Sequence, residues 1–330
     1  MGESNTIQFI GTGSYLPPKV LTNNDLEKMV DTSNEWIVTR SGIKERRITD
    51  ENTATSDLAA KAAKNALDNA SLKPEDIDLI IVATVTPDYP FPSTACMVQK
   101  KIGAVNAAAF DLSAACSGFL YALSVGASML NCGGYKNIMV IGAEALSKIT
   151  DWKDRSTCVL FGDGAGAVII RSSDDSGSRI LYSELGAEGE GEDLLKVPAG
   201  GSAMPASSET VKNRDHYIKM RGNELFKWAV KKMGCLVVDA VKESGLSPDD
   251  VKCIIPHQVN MRIITAAMRK TSIPVEKVIL TLDKYGNTSA ASIPIALDEA
   301  NREGKLKKGD VVVFVAFGSG LTYASMVIRW

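Results

Sequence analysis

The chain repeats itself. Leu246-Ser-Pro-Asp-Asp-Val-Lys-Cys-Ile-Ile255 matches Leu72-Lys-Pro-Glu-Asp-Ile-Asp-Leu-Ile-Ile81 at an offset of 174 residues. Asp310-Val-Val-Val-Phe-Val315 falls opposite Lys136-Asn-Ile-Met-Val-Ile141 at the same offset. Between them, Ser289-Ala-Ala-Ser292 matches Ser113-Ala-Ala-Cys116, 176 residues apart. Phe317-Gly-Ser-Gly320 and the strand Ala324-Ser-Met-Val-Ile-Arg329 echo Phe161-Gly-Asp-Gly164 and Gly166-Ala-Val-Ile-Ile-Arg171. Four matched segments in one order imply a duplicated unit of strands and helices. The boundary is expected near residues 172–178, dividing the chain into 1–175 and 176–330.

Leu79-Ile-Ile-Val-Ala83 and Asn137-Ile-Met-Val-Ile-Gly142 are apolar on both faces, as strands of a parallel or covered sheet are. Each half therefore reads as α/β. A helix is expected from about Ser56 to Ala70, another around Leu26, Met29 and Val30, and a polar loop over residues 31–50.

Charge narrows the function classes. Lys plus Arg number 37 and Asp plus Glu 39, so the net charge of −2 argues against a general nucleic-acid binder. No apolar run is long enough to span a membrane. Six cysteines are scattered without a C-x-x-C pair, and none sits at metal-ligand spacing from a histidine. Free thiols in a reducing cytoplasm are expected, with no metal.

One of those cysteines stands apart. Cys116 follows Ser113-Ala-Ala115 and opens an apolar run through Leu130, which marks the entry to a buried helix. In the second half Pro294 fixes the helix start at about Ile293, because proline is tolerated only in a first turn. The internal match then puts Cys116 at a helix N-terminus, opposite Ser292. Unpaired N–H groups there favour thiolate over thiol. His257 ends the apolar strand before Gln258-Val-Asn260, the sheet edge where ligands bind in α/β proteins. The other histidine, His216, lies in polar Lys212-Asn-Arg-Asp-His-Tyr217 and reads as surface. Asn287 lies in Lys284-Tyr-Gly-Asn-Thr-Ser289, ahead of the second central helix. Singly these are a core cysteine, a strand-end histidine and a Gly-Asn turn. Together they are a nucleophile and two N–H donors suited to developing negative charge. A Cys-His-Asn set also serves papain-like hydrolases, so thioester or peptide hydrolysis stays open on these residues alone.

The motifs go further. Gly11-Thr-Gly-Ser-Tyr-Leu-Pro17, Asp31-Thr-Ser-Asn-Glu-Trp-Ile-Val-Thr-Arg-Ser-Gly-Ile43, Phe161-Gly-Asp-Gly-Ala-Gly166, Pro256-His-Gln-Val-Asn260 and Gly286-Asn-Thr-Ser-Ala-Ala-Ser292 are long and specific. Through them the chain resembles the β-ketoacyl-acyl-carrier-protein synthase III family, condensing enzymes that start bacterial fatty acid synthesis. The resemblance implies an α/β thiolase-like fold, duplicated βαβαβ halves in five layers, αβαβα. It implies that Cys116 takes an acyl group from acyl-CoA, a substrate thioester and not a cofactor. Malonyl-acyl carrier protein then loses carbon dioxide while His257 and Asn287 hydrogen-bond its thioester oxygen, and the carbanion attacks the acyl-cysteine.

Other roles are implied residue by residue. Phe317 would present an apolar face to the departing carboxylate, favouring neutral carbon dioxide. The N–H groups of Cys116 and Ser319 would form an oxyanion hole, although the family usually has Gly where this chain has Ser319. Coenzyme A contacts would fall to Thr32, Trp36, Arg40, Arg155, Gly222, Asn223 and Asn260, with the flat side chains of Trp36 and Arg155 sandwiching the adenine. Phe91 would reach across a homodimer interface to the acyl pocket. Lys227, Gln258, Arg262, Arg269 and Lys270 would meet the acidic carrier protein. No nucleic acid or membrane partner is implied. A condensing enzyme of secondary metabolism with a different acyl starter shares these motifs.

Overall fold

The computed structural model describes residues 7–172 and 178–330, so the division at 175/176 lies outside the described residues. The first half runs β1 (Ile7–Tyr15), α1 (Thr55–Ala70), β2 (Leu79–Ala83), α2 (Thr94–Ile102), β3 (Ala108–Leu112), α3 (Gly118–Asn131), β4 (Asn137–Glu144) and β5 (Gly164–Ser172). The second runs β6 (Arg179–Ala187), α4 (Gly222–Glu243), β7 (Val251–Pro256), α5 (Met261–Met268), α6 (Ser292–Arg302), β8 (Val311–Gly318) and β9 (Thr322–Arg329). One sheet has the order β1-β5-β4-β2-β3, the other β6-β9-β8-β7.

Alternation along the strands sorts side chains into layers. In β4, Ile138 and Val140 face a shared core with α3, while Met139 and Ile141 face α1 and α2. In β8, Val312, Phe314 and Ala316 join that shared core with Leu297 of α6, while Val311, Val313, Val315 and Phe317 face α4 and α5. Five layers result: α1 and α2, a sheet, α3 and α6, a sheet, α4 and α5. This is the αβαβα arrangement that the resemblance implied.

The duplication holds at the level of register. Ile80 stands beside Met139 in one parallel pair, and Ile254 beside Val313 in the other, each 174 residues on. The fifth strand is where the halves differ. β3 pairs along its length with β2, but its counterpart is a single bridge between Ile254 and Val278. The sheets' other margins, β1 and β6, meet around Ser178, whose hydroxyl donates to the carbonyls of Ile7 and Arg329 at 3.1 and 3.2 Å.

Three sequence expectations change. The turn before α3 is Ala115–Ser117 and the turn before α6 is Ser289–Ala291, so the 174-residue offset persists here. Ala115 and Ser289 both adopt left-handed backbone, φ 47° and 48°. The counterpart of Cys116 is thus Ala290, not Ser292. Second, the stretch 31–50 contains a helix, Asn34–Ser41, capped by Ser33, whose Oγ accepts from the Trp36 N–H at 3.1 Å, and stopped by Gly42 at φ 85°. Its polar outer face hid its period. Third, the helix before it is Asn23–Glu27, so Met29 and Val30 lie beyond its end. Among the described residues, no helix is long and apolar enough to cross a membrane.

The halves touch through glycine. A Cβ on Gly142 of β4 would lie 2.2 Å from the carbonyl oxygen of Ala290, a backbone atom that cannot swing aside. Gly142→Ala is expected to cost about 3 kcal/mol, the upper range for overpacking. Chemical denaturation of the purified variant checks it, and a loss under 1 kcal/mol would show that the halves slide apart freely.

Candidate active site

Cys116 sits in the turn that the left-handed Ala115 makes possible, two residues ahead of α3. The end of β8 presses on it: a Cβ on Gly318 would meet the Cys116 nitrogen at 2.5 Å. The thiol is buried, and burial pushes its pKa up to about 12. This overrules the expectation of a stabilised thiolate. A helix terminus contributes about 0.3–1 kcal/mol, and up to ~2 in favourable sites. Desolvation, with the Glu144 charge adding to it, outweighs the Ser289 hydroxyl and the backbone N–H that pull the other way. Cys116 is therefore held toward the thiol.

The other half supplies the donors. His257 follows β7, its backbone N–H donating to Val315 at 2.8 Å. Its ring is buried, and burial pushes its pKa down to about 3, so the imidazole is neutral at physiological pH. Ring Nδ1 lies 2.8 Å from Ser292 Oγ, which also accepts from the Gln258 N–H at 3.3 Å. No other acceptor for the serine proton is in reach among the described residues, so that proton goes to Nδ1. The ring proton is then on Nε2, a donor. Asn287 is fixed in the same sense: its Oδ1 accepts from the Ser289 N–H at 2.9 Å, which leaves the Nδ2 hydrogens free.

These groups converge. Cys116, His257, Asn287 and Phe317 line one cavity of about 100 Å³, which extends past Gly222 and Asn260. Phe317 stands edge-on to the His257 ring, centroids 5.9 Å apart at 80°. A second, mostly apolar cavity of about 200 Å³ shares Cys116 and is lined by Val85, Leu146, Ile149, Phe161, Ile218 and Ser319. The Ser319 hydroxyl donates to the Leu195 carbonyl, so its side chain is anchored beside Cys116.

The remaining expected residues divide. Arg155 lies over the Trp36 ring at 5.1 Å and donates to the Asp31 carbonyl at 2.7 Å. The gap between the two flat groups is too narrow for a purine, which fits between them only after Arg155 moves. Thr32 Oγ1 nearby is buried without a hydrogen-bond partner. Arg40 and Asn223 are exposed. Asn260 caps α5, its Oδ1 accepting from the Arg262 N–H at 2.8 Å, while its amide donates to the Arg40 carbonyl at 3.0 Å. Lys227, Arg262, Arg269 and Lys270 are exposed on α4 or at α5, and Phe91 is 85% exposed. Gln258 is a correction. It is 1% exposed and spends its amide on the carbonyls of Pro256 and Ile279 and the N–H groups of Thr281 and Leu282, so no protein partner can reach it. His216 is half-buried rather than superficial, with Nε2 2.9 Å from Thr210 Oγ1.

Glu144 carried no sequence signal, yet β4 delivers it beneath the nucleophile. It is buried, accepts from Thr86 Oγ1 at 2.8 Å and the Val85 N–H at 3.2 Å, and burial pushes its pKa up to about 7. Ser289 Oγ, buried and short of a well-formed hydrogen bond, stands close enough to the thiol and to Glu144 to lower both pKa values. Ionised Glu144 acts oppositely and raises that of Cys116. Glu144→Gln is therefore expected to speed iodoacetamide alkylation of Cys116 above pH 7, by less than about tenfold since that is one pKa unit. Slower alkylation in the variant would reverse the assigned sign.

Comparison with known proteins follows the same lines. Residues 110–189 match the family model for 3-oxoacyl-[acyl-carrier-protein (ACP)] synthase III, and residues 241–330 match the model of its C-terminal part. A β-ketoacyl-[acyl-carrier-protein] synthase III of Caldanaerobacter subterraneus subsp. tengcongensis is 59% identical over 330 residues, spanning 100% of this chain and 99% of that one. The crystal structure of 3-oxoacyl-[acyl-carrier-protein] synthase III from Aquifex aeolicus aligns with TM-score 0.90 at 52% identity, over 98% of this chain and 100% of that one. The priming β-ketosynthase of the R1128 polyketide pathway aligns with TM-score 0.91 at 33% identity, over 99% and 97%.

Proposed function

Because the chain belongs to the β-ketoacyl-acyl-carrier-protein synthase III family, we propose that it performs that family's decarboxylative condensation through the site just described. An acyl group passes from acyl-CoA to Cys116 sulfur, and coenzyme A leaves as the thiol. Malonyl-acyl carrier protein then enters the cavity. As its carbon–carboxylate bond breaks, the electron pair moves toward the thioester carbonyl, and the oxygen becomes negative. His257 Nε2–H and Asn287 Nδ2–H donate to that oxygen. The enolate carbon attacks the acyl-cysteine, the sulfur departs, and a β-ketoacyl-carrier protein forms.

The observation that carries this reading is the pair of fixed donors. Ser292 and the Ser289 N–H each occupy the acceptor atom of a catalytic side chain, so both present hydrogens to the cavity that holds the thiol. Preorganised donors of this kind stabilise developing charge without reorganisation. Hydrolysis would instead need the imidazole to take a proton from a water attacking the acyl-cysteine, and the Nε2–H tautomer has no lone pair facing the cavity. Incubation with acetyl-CoA and malonyl-acyl carrier protein tests the choice: a β-ketoacyl product with carbon dioxide supports condensation, and free acid alone supports hydrolysis.

The apolar cavity beside Cys116 suits a short acyl primer. The likeness to a polyketide priming synthase favours a second reading, with an unusual starter. A panel of straight and branched acyl-CoA primers separates them. Trp36, Arg40 and Arg155 would bind coenzyme A, and Lys227, Arg262, Arg269 and Lys270 would steer the acidic carrier protein by charge. Phe91, Tyr89 and Val105, exposed at 85%, 56% and 71%, fit the surface of a homodimer. Six free thiols fit a reducing cytoplasm.

A further inference from the structure

Phe317 is held from two sides. On one side is His257. On the other is Trp228 of α4, edge-on to Phe317 with centroids 5.8 Å apart at 77°. Trp228 does not line either cavity that contains Cys116. Its indole N–H donates to Glu188 Oε2 at 2.7 Å, a charge-assisted bond. The other carboxylate oxygen of Glu188 lies 2.6 Å from Lys232 Nζ, one helical turn past Trp228, and that ammonium also sits 3.8 Å over the Tyr323 ring. The Lys232 and Trp228 bonds hold the Glu188 carboxyl below the usual carboxylate range.

The backbone closes this chain of contacts. The Glu188 N–H donates to Leu321 and the Leu321 N–H donates back to Glu188, both at 2.8 Å. Leu321 is four residues beyond Phe317. The loop after β8 is thus tied to Glu188, Glu188 to Trp228, and Trp228 to the ring that begins the loop. Aromatic pairs at these separations and angles are directional, so the Phe317 ring has one preferred setting between its two neighbours.

We propose that Trp228, anchored by Glu188, is a positioning residue for the decarboxylation step: it sets the ring of Phe317 against His257. The inference rests on the condensing reading above, in which Phe317 faces the departing carboxylate. Desolvation of a carboxylate depends on where the apolar face lies, and small displacements propagated from outside a site can cost up to about 100-fold. Acyl transfer to Cys116 makes no use of that face.

The test measures two half-reactions in the intact protein. One is transfer of labelled acetyl from acetyl-CoA to Cys116. The other is release of labelled carbon dioxide from malonyl-acyl carrier protein. Trp228→Leu is expected to lower kcat for decarboxylation by about 10- to 100-fold, with KM for malonyl-carrier protein and the rate of acetyl transfer within twofold of wild type. Trp228→Phe, which keeps a ring edge, is expected to recover most of that loss. Glu188→Ala, which frees the indole without opening the core, is expected to fall between them. Parallel loss of both half-reactions in Glu188→Ala, or wild-type decarboxylation in Trp228→Leu, would overturn the proposal, and Glu188→Ala decides it alone if Trp228→Leu does not fold. Failure of wild type itself to release carbon dioxide would instead remove the condensing reading.

Discussion

Replacement of Cys116 by alanine is expected to eliminate acyl transfer to the protein, with condensation falling by at least about 10,000-fold, in line with loss of a nucleophile elsewhere. No nearby group can substitute. The hydroxyls of Ser117 and Ser289 are buried without well-formed hydrogen bonds, and a hydroxyl is a far weaker nucleophile than a thiol. Ala290, the structural counterpart of the nucleophile, has no reactive atom. Intact-protein mass spectrometry after incubation with acetyl-CoA should show one added acetyl group on wild type and none on the variant. A variant that still gains the group would place the acyl chain on another residue. The donors survive this substitution, so decarboxylation of malonyl-carrier protein should remain measurable.

The reciprocal experiment removes the donors and keeps the thiol. His257→Ala and Asn287→Ala are each expected to acylate Cys116 normally and to lose about 100- to 1,000-fold in decarboxylation, the cost of one oxyanion donor. The pH profile carries a further signature. Burial holds the His257 pKa near 3. Activity should therefore show no limb near pH 6.5 from this ring, because the neutral donor persists well below that value. Ser292→Ala, which frees the tautomer without removing the ring, should lose less than His257→Ala. If both donor variants release carbon dioxide at the wild-type rate, the roles assigned to them are wrong.

Much of this was legible because duplication writes itself twice. Strands such as Leu79–Ala83 and Val251–Pro256 share pattern, spacing and register, and the five layers follow from burying both faces. Cys116, His257 and Asn287 stood out as chemistry at the ends of apolar runs. Less visible was anything decided by side chains meeting across the halves. Ser292 looked like the partner of Cys116 in the repeat, but the backbone turn sets the correspondence, and the hydroxyl serves His257 instead. Gln258 was expected to meet the carrier protein, but four backbone groups consume it. Glu144 and Trp228 sit inside ordinary strand and helix patterns, where nothing in one dimension marks a group that lies beneath or behind a site.

The unequal fifth strands have a consequence for the sheet margins. β3 ends the first sheet, its Ala109 carbonyl accepting from the Cys96 thiol, while the matching margin of the second sheet carries one bridge to Val278, and β1 and β6 meet around Ser178. β3 is therefore an edge strand of the larger sheet. An edge of this kind can accept a strand from another chain, and its short length of five residues limits that risk.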